Sequence, residues 1–215
     1  DMGGTTTDIA DVTGGKVRIK QEGAKVGGWF TRVLAAEIST FGIGGDSKVY
    51  LDKKGGIKVG PEKVWPLCIA GYRYPQLIHE LRSFQREGEM KNYSSQEADC
   101  FIYLGGELPE NAAPWEMKIF NKLQDEPHSL TYLAKAIGED PETVDLSHMV
   151  TAGLLARISV TPTDILHFQG RYNEWNRDLA KAGIDILARR KEISSASFAE
   201  MAEKVINMRT AMACV

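Results

Sequence analysis

Asp1-Met2-Gly3-Gly4-Thr5-Thr6-Thr7-Asp8-Ile9-Ala10 reads as a glycine turn running into a strand. Thr7, Ile9 and Val12 carry the alternation of an extended segment. Two glycines and three threonines at a hairpin tip leave main-chain N–H groups uncovered by any Cβ, and the hydroxyls add further donors. That composition suits a phosphate cradle, with Gly3, Gly4, Thr5, Thr6 and Thr7 as its contacts. Asp1 and Asp8 flank it, and phosphate would repel them unless a cation stood between. They therefore predict Mg²⁺, which takes one or two carboxylates beside waters and phosphate oxygens. The plain alternative is a tight hairpin whose Asp and Thr side chains satisfy turn amides. A strand following a Gly-Gly turn calls for an apolar partner ahead of it, so the opening residues are expected to be a hairpin tip within a longer polypeptide.

Working outward, residues 1–75 read as strands and turns. Asp8 to Val12 and Lys16 to Gln21 flank Thr13-Gly14-Gly15, and a further strand spans Val33 to Phe41. Gly42-Ile43-Gly44-Gly45-Asp46-Ser47 leads into Lys48 to Asp52, the turn Lys53 to Gly56, and Ile57 to Gly60. These strands are expected to form an antiparallel or mixed sheet. From Pro75 the texture changes: a helix over Leu77 to Arg86, a short strand over Cys100 to Leu104, and three short helices between Trp115 and Asp164 closed by an extended Ala156 to Thr161. Two long helices follow the Pro162 turn, about Tyr172 to Lys191 and Ser197 to Ala213. Leu179, Ala182, Ile186 and Leu187, with Trp175, stripe the first, and Phe198, Met201, Val205, Met208 and Met212 the second. Ser194 to Ser197 offer hydroxyl caps between them. Three units result: a β-rich start (1–75), an inserted α+β subdomain (76–160) and a two-helix tail (161–215).

Composition excludes several function classes. The 215 residues are 43% hydrophobic and 26% charged, with net charge −3, so no overall positive field draws the chain to nucleic acid or anionic lipid. No run of 18 apolar residues exists to span a membrane. Cys68, Cys100 and Cys214 are odd in number and far apart, which fits reduced thiols in a cytoplasmic protein and no structural zinc.

The opening decapeptide resembles the second phosphate motif of the hydantoinase/oxoprolinase family, of the actin, sugar kinase and chaperone ATPase superfamily. Gly27-Gly28-Trp29, the stretch Ile38 to Ser47, and Gly55-Gly56-Ile57-Lys58-Val59-Gly60-Pro61-Glu62 are similar to successive family motifs. Leu67 to Tyr74 and Val160-Thr161-Pro162-Thr163-Asp164 are weaker counterparts. The chain departs at Asp46, where the family commonly has a third glycine; Asp46 is then either an obstacle to ligand approach or itself a metal or substrate contact. The resemblance implies an α/β fold: part of an actin-like (ribonuclease H-like) ATPase lobe with an inserted helical subdomain. It implies ATP and Mg²⁺ as cofactors, Gly3, Gly4, Thr5, Thr6, Thr7, Gly44 and Gly45 as nucleotide contacts, and Asp1 and Asp8 as catalytic and metal-holding residues. The other reading of Gly44 and Gly45 is a positive-φ turn. The implied activity is ATP-dependent hydrolysis of a small cyclic amide, hydantoin or 5-oxoproline. The alternatives are a related ATP-driven carboxylase subunit, another ATPase or sugar-kinase-like lobe, and a non-catalytic adaptor on the same fold. Implied partners are an N-terminal lobe and C-terminal segment of a parent chain and a second hydantoinase-type subunit.

Three features are weighed against function. Residues 129–158 have the rhythm of a winged helix, yet between Asp125 and Leu155 the acids Asp125, Glu126, Glu139, Asp140, Glu142 and Asp145 outnumber the single Lys135, which argues against DNA. His79, His128, His148 and His167 never fall at metal-ligand spacing; His167 is expected to cap a helix or lie at the surface, with substrate contact as the alternative. Asp164 is expected at a helix start, and Met201, Met208 and Met212 of the last helix are read as core, with a face that has lost its partner as the alternative.

Overall fold

The computed structural model describes residues 1–215 except Met2, Thr5, Glu22, Ala24, Gly27, Gly28, Arg32, residues 85–95, Cys214 and Val215. Alternation and glycine turns at the start of the chain produce short antiparallel ribbons rather than the single sheet expected. β1 (Thr7–Ala10) pairs with β8 (Ile38–Phe41) in the register Thr7↔Phe41. Between them β2 (Val12–Thr13) pairs with β3 (Lys16–Val17), β4 (Ile19–Lys20) with β7 (Ala35–Ala36), and β5 (Lys25–Val26) with β6 (Trp29–Phe30). Gly14 and Gly15, both at positive φ, make the β2–β3 turn, as their sequence predicts. Most of these strands are two residues long and bond to one partner each, so the ribbons form an arm and not a layer. Val33 and Leu34, expected in a strand, lie outside one and are exposed.

The chain then turns inward. β9 (Ser47–Leu51) and β10 (Ile57–Lys63) form a hairpin whose register slips between Val59↔Val49 and Lys63↔Ser47, so residues 60–62 form a bulge. Asp52 Oδ1 accepts the Lys54 and Gly56 N–H groups, each at 2.9 Å, and shapes the connecting turn. β11 (Trp65–Pro66) leads into α1 (Leu67–Arg73), which corrects the all-strand reading of residues 1–75. The helix has seven residues with a glycine among them, too few for a helical period to show. α2 (Leu77–Phe84) follows as expected.

β12 (Cys100–Tyr103), α3 (Pro114–Asp125), β13 (His128–Ser129), α4 (Leu130–Ile137), α5 (Ser147–Thr151) and β14 (Leu155–Ser159) come next. They contain the three short helices and the closing strand read from sequence. Strands β11, β14, β12 and β13 lie side by side in that order in one sheet, β11 parallel to β14 and the rest antiparallel. One face carries Cys100, Ile102 and Ile158 into the main core. The other carries Phe101 and Leu155 into a second cluster with Ile119, Leu133 and Met149.

α6 (Pro162–Phe168), α7 (Arg177–Arg190) and α8 (Ser195–Ala213) complete the molecule. The first opens at the turn where Asp164 is expected to start a helix but ends at Phe168, and the second begins five residues later than the expected Tyr172, because Asn176 caps it by accepting the Leu179 N–H at 3.0 Å. Leu179, Ala182, Ile186 and Leu187 are buried as read. α1 and α7 touch closely: a Cβ on Gly183 would stand 2.2 Å from Leu67 Cδ1, and one on Gly71 2.7 Å from Leu179 Cβ. On α8, Phe198 is buried, but Met201 and Met208 are exposed, which corrects their reading as core. That helix turns only its first half fully against the rest of the chain. The fold is thus mixed α/β with small sheets and, among the described residues, eight helices. No helix among them is long and apolar enough to cross a membrane.

Candidate functional site

The opening turn closes on itself through its backbone. The Asp1 amino group donates to Asp8 O at 2.8 Å, the Asp8 N–H to Asp1 O at 2.7 Å, and the Gly3 N–H to Thr6 O at 2.9 Å. Thr7 is buried and donates its hydroxyl to Ile43 O at 2.7 Å, while Thr40 Oγ1 donates to Asp8 Oδ1 at 2.6 Å.

Two glycine pairs far apart in sequence meet here. The Gly45 N–H donates to Gly3 O at 3.0 Å and the Asp46 N–H to Gly4 O at 2.7 Å. A Cβ on Gly44 would lie 2.6 Å from Gly3 O and 2.7 Å from Gly4 C, so only glycine lets the two backbones approach this closely. Gly44 O accepts the Ser47 N–H at 3.1 Å in a turn, but neither Gly44 nor Gly45 has positive φ, which removes positive φ as the explanation for them. The Gly44 N–H donates to Ser47 Oγ at 2.9 Å. Of the expected donors, Gly3, Gly44 and Gly45 therefore spend their N–H groups within the protein. Among the described residues, the Gly4 and Thr6 N–H groups have no acceptor. Thr5 lies outside the described residues.

Asp46, the departure from the family pattern, presses its carboxylate on the tip: a Cβ on Gly4 would meet Asp46 Oδ2 at 2.6 Å. Burial pushes the Asp46 carboxyl above its ordinary range, and Lys63, whose Nζ is 3.9 Å away, offsets part of that rise. Asp1 is exposed and Asp8 half-buried. Among the described residues no three His, Cys, Asp or Glu side chains converge as a metal cluster.

The far side of the glycine loop is held by the start of α6. Gly45 O accepts Thr163 Oγ1 at 2.8 Å and the Thr163 N–H at 3.2 Å. Next to it, the fully buried Asp164 accepts from Leu67 N (3.2 Å), Cys68 N (2.7 Å), Thr161 N (2.8 Å) and Thr161 Oγ1 (2.8 Å). One carboxylate thus caps α6 and fixes the entry of α1. Burial raises its pKa, opposed by these same donors. The Cys68 thiol is raised by burial and by the nearby Asp164 charge, so it is no ready nucleophile. His167 is fully buried, against the expectation of a capping or surface role. Its Nδ1 faces Thr163 O at 2.8 Å and must carry the proton, since a carbonyl only accepts; Nε2 then accepts the Trp175 N–H at 3.3 Å.

A second polar centre escaped the sequence reading. Asp99 Oδ2 accepts from Lys48 Nζ at 2.6 Å and Arg157 NH1 at 2.5 Å, and Oδ1 from Ser159 Oγ at 2.6 Å. The two cations hold the Asp99 carboxyl below its ordinary range despite complete burial. Lone charges 51 and 58 residues apart leave no pattern in a sequence. Thr163 and Asp164, in contrast, sit in a legible signal, since Thr161-Pro162-Thr163-Asp164 is a capping box with proline at the first helical position.

Residues 1–68 match the model of a known family, described as hydantoinase/oxoprolinase. This segment belongs to that family. It contains the hairpin tip, the arm, the glycine loop and the β9–β10 hairpin, and ends at Cys68 where α1 begins. No curated protein and no solved structure matches the chain. The hydantoinase/oxoprolinase signature therefore covers both glycine pairs that meet at the tip, while Thr163 and Asp164, which brace them, lie beyond it.

Proposed function

We propose that this protein is part of an ATP-dependent hydrolase acting on small cyclic amides of the hydantoin or 5-oxoproline type, working in the cytoplasm. The single observation that carries the reading is the meeting of Gly3-Gly4 with Gly44-Gly45 within the family-matched segment, where the Gly4 and Thr6 N–H groups have no acceptor among the described residues. When bound, ATP supplies the phosphoryl group that turns an amide oxygen into a leaving group, a transfer in which the protein mainly positions groups and neutralises charge. Gly4 and Thr6 would donate to phosphate oxygens, and Thr7, tied to Ile43, would fix the strand behind them. Asp1 and Asp8 would hold Mg²⁺ or its waters. Asp46 beside the tip strengthens the case for a cation, because two anions approach there only with positive charge between them. In this reading the tip and glycine loop belong to an actin-like lobe. The unit from α3 to β14 serves as a winged-helix-like insert for packing or for contact with a second hydantoinase-type subunit.

Calorimetric titration of Mg·ATP into the protein tests the reading. Heat of binding should appear only with Mg²⁺ and should vanish in Gly4→Val, whose branched side chain collides with Asp46 and covers the free N–H groups. Binding that persists in Gly4→Val, or needs no divalent ion, overturns it.

A further inference from the structure

We propose that the protein pairs with a second copy of itself by exchanging arms: Trp29 of one copy enters a cavity in the insert of the other, and the other returns the contact. The strand pairs of the arm nest, β1 with β8, β4 with β7 and β5 with β6, so β5–β6 is its far end. Trp29 on that end is 82% exposed, more than any other large apolar side chain among the described residues. Burying such a ring removes about 150–250 Å² from water, and tryptophan is among the residues that most often carry the energy of an interface.

The receiving cavity lies between the loop after β12 and the helices α3 and α5. Its volume is about 440 Å³, in the range that accepts a small ligand and so large enough for one indole. Leu108, Pro109, Met149 and Leu154 give it apolar walls, and Glu107 and Glu116 add carboxylates. Glu116 is engaged, Oε1 with His148 Nε2 at 2.7 Å and Oε2 with the Ala113 N–H at 2.5 Å. Glu107 is exposed and has no ion-pair partner among the described residues. It can accept the indole N–H, a donor that needs a partner once buried.

Charge selects the occupant. Residues 104–155, which contain the whole lining, hold nine Asp and Glu against three Lys, a net −6. Residues 11–37, which contain the outer arm, hold five Lys and Arg against three Asp and Glu, a net +2. An apolar cavity in acidic surroundings favours an apolar group carried on a basic segment, and this chain carries one. The exposure of Trp29 shows that it does not occupy its own chain's cavity. Two-fold exchange satisfies both arms and both cavities, so association closes at two copies instead of growing into a filament. Ile19, farther back on β4, takes no part, and none of the hairpin-tip glycines lines the cavity, so the pairing stands whether or not the tip holds nucleotide.

Sedimentation equilibrium of the 215-residue protein without nucleotide tests the pairing. Its mass should rise from one chain toward two between about 1 and 100 μM, and the rise should weaken with added salt. Trp29→Ala, at an exposed position, should weaken association roughly thirtyfold or more, the scale of an interface hot spot. Ala152→Trp, also exposed and in the cavity lining, should do the same by filling the space. An equal mixture of these two variants should associate more than either alone, because one keeps the cavity and the other the anchor. Glu107→Lys, on the exposed loop, repeats the mixing test by charge in place of bulk. A single-chain mass at about 100 μM, association that survives Trp29→Ala, or mixtures that associate no more than their components overturns the proposal; the last result would mean that arm meets arm.

Discussion

The arm and the α6 junction are built from equally polar sequence, yet one buries almost nothing and the other buries charge. In the arm, Ile19, Val33, Leu34 and Ile38 are each more than half exposed, and its ion pairs, Arg18 and Lys20 to Glu37, lie at the surface. At the junction, Asp164 is inaccessible to solvent, holds four donors and joins two helices. The difference lies in contact order rather than composition. Arm residues pair across separations from 3 (Thr13↔Lys16) to 34 (Thr7↔Phe41) positions, whereas Asp164 reaches back 97 residues to Leu67. The glycine loop lies between the two, bonded to the hairpin tip on one side and to Thr163 on the other. The tip is therefore positioned by the glycine loop that the buried junction braces, as well as by its own pairing with β8.

The harshest way to break the comparison is Asp164→Ala. It leaves four buried donors without an acceptor at the meeting of α1 and α6, and should cost roughly 3 to 5 kcal/mol of unfolding free energy in urea titration. The pH dependence has a definite sign. Burial raises the folded-state pKa above the ordinary aspartate value, so this group's favourable contribution is complete below that value and declines as pH rises through the folded pKa. Asp164→Ala should lack that decline. A loss below 1 kcal/mol with an unchanged pH profile would show that the junction does not brace the glycine loop.

A smaller effect sharpens the same contrast at the tip. The nearest atoms to the Cβ of Gly4→Ala are those of the Asp46 carboxylate, a side chain that can be removed, whereas the Cβ of Gly44→Ala meets backbone that cannot. Gly4→Ala should cost about 1 to 3 kcal/mol alone and close to nothing in an Asp46→Gly background. A double-mutant cycle by thermal or urea denaturation measures the coupling. Additive effects would mean that Asp46 does not press on the tip.

Much of this was legible before the structure. The octet Asp1 to Asp8, the turn at Gly14-Gly15 and the stripe of α7 each place residues within a few positions of one another, and local chemistry fixes their outcome. Gly44 and Gly45 could be read as meaningful but not for the right reason, since a close backbone approach needs the partner 41 residues away that only the fold brings near. α1 was missed, and α6 was read only as a helix start at Asp164 and not as a separate element, because each is seven residues long. The second of these did carry its capping box in plain view. The Lys48–Asp99–Arg157 centre was beyond reach, because its members sit on three strands or strand ends with nothing repeating between them. The exposed methionines of α8 show the converse failure: helical spacing marks a face, but not whether anything covers it.

The gentlest change tests whether the arm is bare in solution. Ile19 is 58% exposed on a two-residue strand opposite Ala36, so little apolar area leaves water when the protein folds. Ile19→Ser should therefore change the unfolding free energy by no more than about 0.5 kcal/mol, the range of surface substitutions away from special features. Its measurement beside Asp164→Ala in the same urea series sets both ends of the scale. If Ile19→Ser instead costs about 2 kcal/mol or more, the magnitude of a buried side chain, then something covers the arm in solution. The tip would then be braced from both sides, and the asymmetry between arm and junction would be a property of the isolated fold alone.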